Sequence, residues 1–361
     1  MYADILENKN NKKNESIIEK FNLKDIIIGG KICKCNYGYI AYCKKVNSTK
    51  IYSIKILKKS KLLSEKFVER QYNEYQNLSQ IYHPFIIELK GINHTDPFNL
   101  YYFYELIPGD SLKYLIKINN GLSLDNAKFY SASIITALDY LHKKKIVERD
   151  LRPENIFLNS DGYIKLAEFT FSKKLKNDLT YSLCGIPEYY SPEMINKSGH
   201  NKSIDFWQLG ILLYEMLLGY TPFIDNDPIK LYKKIIKGKI NFPKDFNKYA
   251  KNIIKQFLKV DMNKRMGCTK RGIYEIIQHP FFKDFNWEEL LHRKIRPPLI
   301  PKIPKIVFNN NNNNSFEDLM KKFLKKTILS IIGTKIYYDK LITFIYYFII
   351  VSICINNIWY Y

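Results

Sequence analysis

An aspartate, an arginine and an asparagine lie within six residues of one another near the middle of the chain. Residues 147–155 read Val-Glu-Arg-Asp-Leu-Arg-Pro-Glu-Asn, so that Asp150 precedes Asn155 by five residues, with Arg152 between them. A carboxylate can orient an attacking hydroxyl, an amide oxygen can hold a divalent metal, and a cation can neutralise a phosphate. Phosphoryl transfer needs these groups, because its catalysis is mostly positioning and charge stabilisation.

This stretch resembles the catalytic loop of protein kinases, whose usual form is H-R-D-L-x-x-x-N. The segment from Tyr52 to Lys55 looks like the strand that carries the family's phosphate-binding lysine, and Glu74 matches the ion-pair partner of that lysine. The resemblance covers about residues 22–300 and is closest to the cAMP-dependent protein kinases of the AGC group. Further matches are the end of an activation loop and three structural anchors of the family: residues 182–189, Glu193, Asp205 and Arg265.

The resemblance implies an α+β, bilobal protein-kinase fold with a small β-rich N-lobe and a larger α-helical C-lobe. The residue pattern agrees, since short β-type runs dominate up to Phe103 and helical periodicity follows Pro108-Gly109. Helices are predicted over residues 64–80, 127–142 and 204–218. The predicted divisions are an N-terminal extension over 1–21, the N-lobe and hinge over 22–107, the C-lobe over 108–298, and a C-terminal tail over 299–361.

The resemblance also implies ATP and Mg²⁺ as cofactors. It assigns orientation of the substrate hydroxyl to Asp150, the transferring phosphate to Arg152, and the α- and β-phosphates to Lys55, which Glu74 would hold in place. The implied metal ligands are Asn155 and Glu168. The other positions implied to contact the nucleotide are Gly38, Ile40, Ser53, Glu105, Ile107, Glu154 and Phe157.

Several positions depart from the family pattern. The phosphate-covering loop should read G-x-G-x-x-G, but here it keeps only Gly38, with Cys33 and Cys35 in the earlier glycine positions. The metal-binding Asp-Phe-Gly has become Glu168-Phe169-Thr170, which lengthens the acidic side chain by one methylene. Glu148 replaces histidine at a buried position, where its carboxylate must find a partner, become protonated or distort its surroundings.

Two functions from different classes remain open on these grounds. The leading prediction is a serine/threonine protein kinase that transfers the γ-phosphate of ATP to a protein hydroxyl. The alternative is a pseudokinase, a scaffold that binds nucleotide or a partner with little turnover. The altered metal ligand and the cysteines in the glycine loop distinguish the two, because Mg²⁺ demands near-ideal octahedral geometry.

Ser182 stands where the family carries an activating phosphate. A phosphoserine carries nearly two negative charges and favours guanidinium partners. The positions that would supply such a pocket are Arg70, Arg149 and Lys173. The alternative is an unmodified loop serine.

Acidic residues near the catalytic loop bear on substrate choice. Glu154 and Glu215 match positions at which cAMP-dependent kinases hold basic residues of the target, and Asp110 adds a third carboxylate. The resemblance therefore implies protein substrates with basic residues, and a regulatory subunit as a further partner. The alternative is that these are solvated surface acids.

The net charge of +22 favours acidic partners in general, but the sequence shows no zinc finger or RNA-binding motif. Biased usage of lysine and asparagine, including the run over 309–314, also explains the charge, so no specific nucleic-acid partner is predicted.

The scattered cysteines and the polar N-terminus favour a cytoplasmic protein. The uncharged segment 341–355 predicts either docking onto the kinase or peripheral or tail-anchored membrane association.

Overall fold

The computed structural model describes residues 18–35, 37–61, 65–175, 179–306 and 308. These residues form two compact units. The small unit takes the described residues between 16 and 75, between 88 and 106, and from 304 onward, and the large unit takes 76–87 and 107–303.

The small unit is built on a five-stranded antiparallel sheet with strand order β1-β2-β3-β5-β4. Phe21 and Phe103 stack with ring centroids 4.0 Å apart in its core. One helix, α1, follows the third strand. The elements are β1 (Ile26–Cys35), β2 (Gly38–Lys45), β3 (Ile51–Lys58), α1 (Glu65–Leu78), β4 (Leu89–Asn93) and β5 (Asn99–Glu105).

The hairpin between β1 and β2 gives Gly38 a role in strand packing. A Cβ on Gly38 would lie 1.8 Å from the backbone oxygen of Ile56, so only glycine allows β2 to approach β3 here. Cys33 pairs with Ile40 in the sheet, and Cys35 pairs with Gly38 itself. The two cysteines therefore belong to a strand that runs up to the turn, and their backbone is committed to sheet pairing.

The large unit is mainly helical, and α5 forms its centre. Every residue of α5 from Ser203 to Met216 is buried, as expected for a helix that is apolar on nearly all sides. Ser111 and Ser123 cap α2 and α3 by accepting backbone N–H bonds. The helices are α2 (Leu112–Asn119), α3 (Leu124–Lys143), α4 (Pro192–Ile195), α5 (Ser203–Leu218), α6 (Pro228–Lys237), α7 (Lys248–Phe257), α8 (Ile273–Ile277) and α9 (Trp287–Leu291).

Two short antiparallel pairs flank the stretch 148–155. Strand β6 (Ile146–Val147) pairs with β9 (Lys173–Lys174), and β7 (Ile156–Leu158) pairs with β8 (Ile164–Leu166). The catalytic-loop stretch therefore begins where one pair ends and finishes where the other begins.

The predicted α+β fold, with a small β-rich part and a larger helical part, is confirmed, and so are the three predicted helices. The predicted domain boundaries stay a prediction, and residues 76–87 group with the large unit. The expectations for residues 1–17 and for the tail from 309 onward lie outside the described residues. No helix within the described residues is long and apolar enough to cross a membrane.

Candidate active site

A buried ion pair in the small unit joins strand β3 to helix α1. The Lys55 ammonium donates to both carboxylate oxygens of Glu74, at 2.9 and 3.1 Å, and the two side chains are 6% and 2% exposed. The Tyr104 hydroxyl donates to Glu74 Oε1 at 2.7 Å. These bonds hold the lysine stem in one direction, as a phosphate-binding lysine requires. The sequence paired Lys55 with Glu74 through the family resemblance but missed Tyr104, which the β3–β5 pairing brings beside them.

The end of β5 carries the backbone groups predicted to bind adenine. The Glu105 backbone oxygen accepts the Ser53 hydroxyl at 3.1 Å, and the Glu105 N–H donates to the Glu88 oxygen at 3.0 Å. Ile40 and Ser53 lie on β2 and β3 of the same sheet, whereas Ile107 belongs to the large unit. The hydrogen bond from the Ser53 hydroxyl therefore occupies one of the two lone pairs of the Glu105 carbonyl oxygen.

Side chains of helix α5 hold the catalytic loop in place. The Asp205 carboxylate accepts the backbone N–H groups of Glu148 and Arg149, at 3.1 and 2.9 Å. Gln208 accepts the Leu151 N–H at 3.0 Å and donates to the Arg149 oxygen at 3.0 Å. Arg149 has a positive φ of 73°, an uncommon conformation that these bonds help to maintain. Asp205, expected to be a structural anchor, thus acts on the backbone of the loop.

Asp150 lies 3% exposed at the centre of the loop, with its two carboxylate oxygens in different surroundings. Oδ2 accepts the Asn155 amide at 2.8 Å, and the same amide donates to the Asp150 backbone oxygen at 2.8 Å. Oδ1 is buried and accepts no hydrogen bond from any described residue, although Arg152 Nε lies 3.2 Å away. A Cβ on Gly185 would approach Oδ1 to 2.9 Å, so a side chain at this position would crowd the oxygen.

Burial raises the pKa of the Asp150 carboxyl to about 6. Arg152 and the Asn155 hydrogen bond oppose this rise, and the nearby charge of Glu168 adds to it. A carboxylate with a pKa just below neutrality is suited to accept a proton during a reaction at neutral pH.

Glu148 is 2% exposed and lies directly beside this carboxylate. Its Oε2 accepts the Asp150 backbone N–H at 2.7 Å. Burial raises the pKa of Glu148 well above its usual value, the charges of Asp205, Asp150 and Glu168 raise it further, and the amide bond opposes them. Of the three outcomes expected for this residue, the structure shows a hydrogen-bond partner and surroundings that favour the protonated form.

Glu168 is held by the residue that replaces the family's glycine. Glu168 Oε1 accepts both the Thr170 backbone N–H, at 3.1 Å, and the Thr170 hydroxyl. Phe169 between them is fully buried. Asn155 directs its amide nitrogen at Asp150, which leaves the amide oxygen on the other branch of the group.

The donor set of Asn155 and Glu168 suits Mg²⁺ chemically. An amide oxygen and a carboxylate are hard oxygen donors, and Mg²⁺ typically takes few protein ligands and completes its shell with water and phosphate oxygens. Within the described residues no three His, Cys, Asp or Glu side chains converge in a metal-binding cluster. The two assignments stay predictions.

Ser182 lies beside one of its three predicted phosphate partners. The Arg149 guanidinium donates to the Ser182 hydroxyl at 2.7 Å and, through Nε, to the Phe171 backbone oxygen at 2.7 Å. Lys173 pairs with Val147 in the β6–β9 ladder. Arg70 lies on α1 in the small unit. Arg149 thus lies within hydrogen-bond distance of the Ser182 hydroxyl, and phosphorylation of Ser182 stays a prediction.

The acidic residues predicted to bind basic residues of a substrate already have cationic neighbours from the chain itself. Both oxygens of the buried Glu215 are engaged, by Lys113 Nζ at 2.5 Å and by the Tyr189 hydroxyl at 2.5 Å. Lys113 also lies 3.8 Å from Glu154. The alternative expectation, a solvated surface acid, is wrong for Glu215, whose side chain is 1% exposed. Sequence reasoning missed Lys113, because a lysine in the first turn of an amphipathic helix resembles any surface lysine.

Glu193 and Arg265 form the structural pair that the resemblance implied. Their two nitrogen–oxygen contacts are 2.6 and 2.9 Å, a bidentate geometry, and the guanidinium is fully buried. Burial acts to raise the pKa of Glu193, but the Arg265 hydrogen bonds and charge outweigh it and hold the pKa below its usual value.

Comparison with known proteins agrees with this geometry. The protein kinase domain model matches residues 27–282. The human cAMP-dependent protein kinase catalytic subunit PRKX is 39% identical over 283 residues, which cover 78% of each chain. Catalytic subunit 3 of Drosophila melanogaster is 37% identical over 305 residues, 84% of this chain and 51% of the fly protein. The Dictyostelium discoideum catalytic subunit is 40% identical over 267 residues, 74% of this chain and 41% of that relative.

The match thus spans about half the length of several relatives and most of the length of others. The family motifs occur in order, and the matched region contains the described sheet of the small unit and the central helices of the large unit. The chain therefore belongs to the protein kinase family and is similar to the catalytic subunits of cAMP-dependent protein kinase, in the AGC group.

Proposed function

We propose that this chain is a serine/threonine protein kinase that transfers the γ-phosphate of ATP to a hydroxyl of a protein substrate. The observation that carries this proposal is the state of Asp150. Its Oδ1 is buried, accepts no hydrogen bond from a described residue, and would be crowded by any side chain at position 185. A carboxylate oxygen in this state can accept a hydrogen bond from an attacking hydroxyl.

Other predicted site residues would supply the remaining requirements of phosphoryl transfer. Lys55, held by Glu74, would bind the α- and β-phosphates, and Arg152 would neutralise charge on the transferring group. Asn155 and Glu168 would hold Mg²⁺, which supplies charge stabilisation when bound with ATP. Asn155 also fixes the Asp150 carboxylate through its amide. Most of the reaction is positioning, which these contacts provide.

Protein substrates follow from the family, and the identity of the relatives as catalytic subunits supports a regulatory subunit as a partner. We extend both to this chain as proposals. A cytoplasmic location is proposed on the scattered cysteines alone. Membrane association through residues 341–355 has no support among the described residues.

One observation favours the second candidate, a pseudokinase. Thr170 engages Glu168 Oε1 twice, and this competes with metal binding by the same oxygen. If the Thr170 hydrogen bonds prevail over metal binding at Glu168 Oε1, the chain binds nucleotide without holding Mg²⁺ in a productive position.

Phosphate transfer by the purified full chain tests the proposal. Radiolabelled ATP, Mg²⁺ and a serine peptide are incubated with the wild-type chain and with Asp150→Ala. Transfer by the wild type and its loss in the variant support the kinase. Stabilisation by ATP that does not depend on Mg²⁺, without transfer to peptide or to the chain itself, would support the pseudokinase. Thr170→Gly, which removes the hydroxyl bond to Glu168 and keeps the backbone N–H bond, should then restore part of the metal dependence.

A further inference from the structure

Lys113, a residue that no sequence motif singled out, lies between two carboxylates near the catalytic loop. Its ammonium donates to Glu215 Oε1 at 2.5 Å and lies 3.8 Å from Glu154 Oε1. Glu154 in turn lies 3.8 Å from Arg152, and Arg152 lies 3.2 Å from Asp150. A line of alternating charges therefore connects Lys113 to the carboxylate that would receive the substrate hydroxyl.

Glu154 and Glu215 form an acidic pocket, and a cation from the chain itself already occupies it. Glu215 is 1% exposed, and its two oxygens accept from Lys113 and from the Tyr189 hydroxyl. A buried carboxylate needs such compensation, because an unpaired charge in the interior is costly. Burial alone would lower the pKa of Lys113, but the hydrogen bond and charge of Glu215, with the charge of Glu154, raise it. The lysine therefore stays charged in place at neutral pH.

Lys113 is also held from its backbone. It occupies the first turn of α2, whose N-terminus is fixed by the Ser111 side chain accepting the Tyr114 N–H. The neighbouring Leu112 is fully buried. The ammonium thus belongs to an anchored element, although 44% of its side chain is exposed.

We propose that Lys113 is a specificity-determining residue that occupies the acidic pocket of Glu154 and Glu215, so that this kinase does not select substrates for a basic residue at that pocket. This rests on the proposed function and deepens it by naming the substrate class. A substrate arginine would have to displace a lysine already paired with a buried carboxylate. Two cations cannot share one carboxylate pair without repulsion, which disfavours basic peptides at this position.

The experiment compares two fluorescent peptides on the full chain. Both peptides share one sequence with an acceptor serine. One carries arginine at each position N-terminal to that serine, and the other carries citrulline, a neutral isostere of arginine, at the same positions. Binding is measured by anisotropy and phosphate transfer by kcat/KM, for the wild type, Lys113→Ala and Lys117→Ala. Lys117 is an exposed lysine one turn further along α2, so its variant matches the change in charge.

In the wild type we expect the two peptides to bind within about threefold of each other. In Lys113→Ala the arginine peptide should gain about tenfold or more over the citrulline peptide, because its guanidinium compensates Glu215. The arginine peptide should also raise the melting temperature of Lys113→Ala and leave that of the wild type nearly unchanged. Lys117→Ala should behave as the wild type. Adding Glu154→Gln to Lys113→Ala should remove part of the gain.

A wild-type chain that already prefers arginine by more than about tenfold would overturn the proposal, and this measurement needs no variant to fold. No gain in a folded Lys113→Ala, including no binding of either peptide, would also overturn it. If no phosphate transfer is detected but the peptides bind in the expected pattern, the proposed kinase function is wrong, and the proposal that Lys113 occupies the pocket stands. If Lys113→Ala fails to fold, Lys113→Gln, which keeps most of the stem, takes its place.

Discussion

Buried charge is handled differently in the small unit and in the catalytic loop of the large unit. In the small unit the carboxylate of Glu74 meets a cation and a hydroxyl donor, Lys55 and Tyr104, and both of its oxygens are engaged. In the catalytic loop, the Glu148 carboxyl lies near those of Asp150 and Asp205, so carboxylates are buried near carboxylates. There Glu148 accepts a backbone N–H, Asp150 has Arg152 and Asn155 as partners, and burial nevertheless raises the pKa of both acids.

The difference shows which kind of function each arrangement can support. An opposite-charge pair fixes one geometry over a wide pH range, which suits a group that must point at a phosphate. A crowded set of acids holds carboxyl groups close to protonation, which suits the exchange of a proton. The departures from the family pattern at Glu148 and Glu168 fall in the second arrangement, where Glu148 places a further carboxyl group and Glu168 keeps the acidic character of the family's aspartate.

The largest effect is expected from Asp150→Ala. This variant removes the carboxylate proposed to orient the hydroxyl, so transfer to a peptide should fall about 10³-fold, within the range for general base catalysis. The measurement is initial rate with labelled ATP. Asp125→Ala, at an exposed helix start, is the matched control and should retain full rate. Similar rates for the wild type and Asp150→Ala would contradict the assignment of the base.

Lys55→Met should produce the next largest effect. It removes the cation that compensates the buried Glu74 carboxylate, and breaking a buried pair in this way costs about 3 kcal/mol of unfolding free energy. Urea unfolding measures the loss. Removing both charges with Lys55→Met and Glu74→Gln should recover part of it. The exposed Lys58→Met, on the same strand, should cost far less, and an equal loss there would show that the pair contributes little.

Glu148→Gln should stabilise the protein at high pH. The folded-state pKa of Glu148 is raised, so the unfolded chain releases this proton first, and stability falls as pH rises from the unfolded pKa toward the folded one. Glutamine keeps an acceptor for the Asp150 N–H and cannot ionise. We expect a gain of about 1 kcal/mol at pH 8 and a smaller one at pH 5 by urea unfolding. An equal destabilisation at both values would show that the carboxylate is ionised and needed.

The smallest effect concerns the pH profile. Since the pKa of Asp150 is about 6 and the base must be ionised, kcat/KM should fall as pH drops below about 6. Arg152 acts to lower this pKa, so Arg152→Met should move the midpoint upward by less than about one unit. Arg152→Lys keeps the charge and should leave the midpoint nearly unchanged. A midpoint that stays fixed in Arg152→Met would rule out this coupling.

The family, the fold and most of the candidate site could be predicted from order and spacing. Lys55 and Glu74 could be paired because the family motifs fix both positions, and the structure shows their contact. Helix α5 could be predicted because a long apolar run has few alternatives. Tyr104 and Lys113 could not, because strand pairing and the direction of a helix decide what a side chain meets. Gly38 was predicted to contact the nucleotide, whereas its close approach to the Ile56 backbone shows that the packing of β2 on β3 also requires glycine there.

By itself the sequence determined which chemical groups are present and in what order, since motif spacing follows from chain connectivity. Only the tertiary structure decided which distant groups meet: that Asp205 binds the Glu148 and Arg149 amides, that Tyr104 binds Glu74, and that Lys113 occupies the acidic pocket. The physical reason is that burial and electrostatic contact depend on distances between elements far apart in the chain. Residue type gives a side chain its charge, and its neighbours in space decide whether that charge is available.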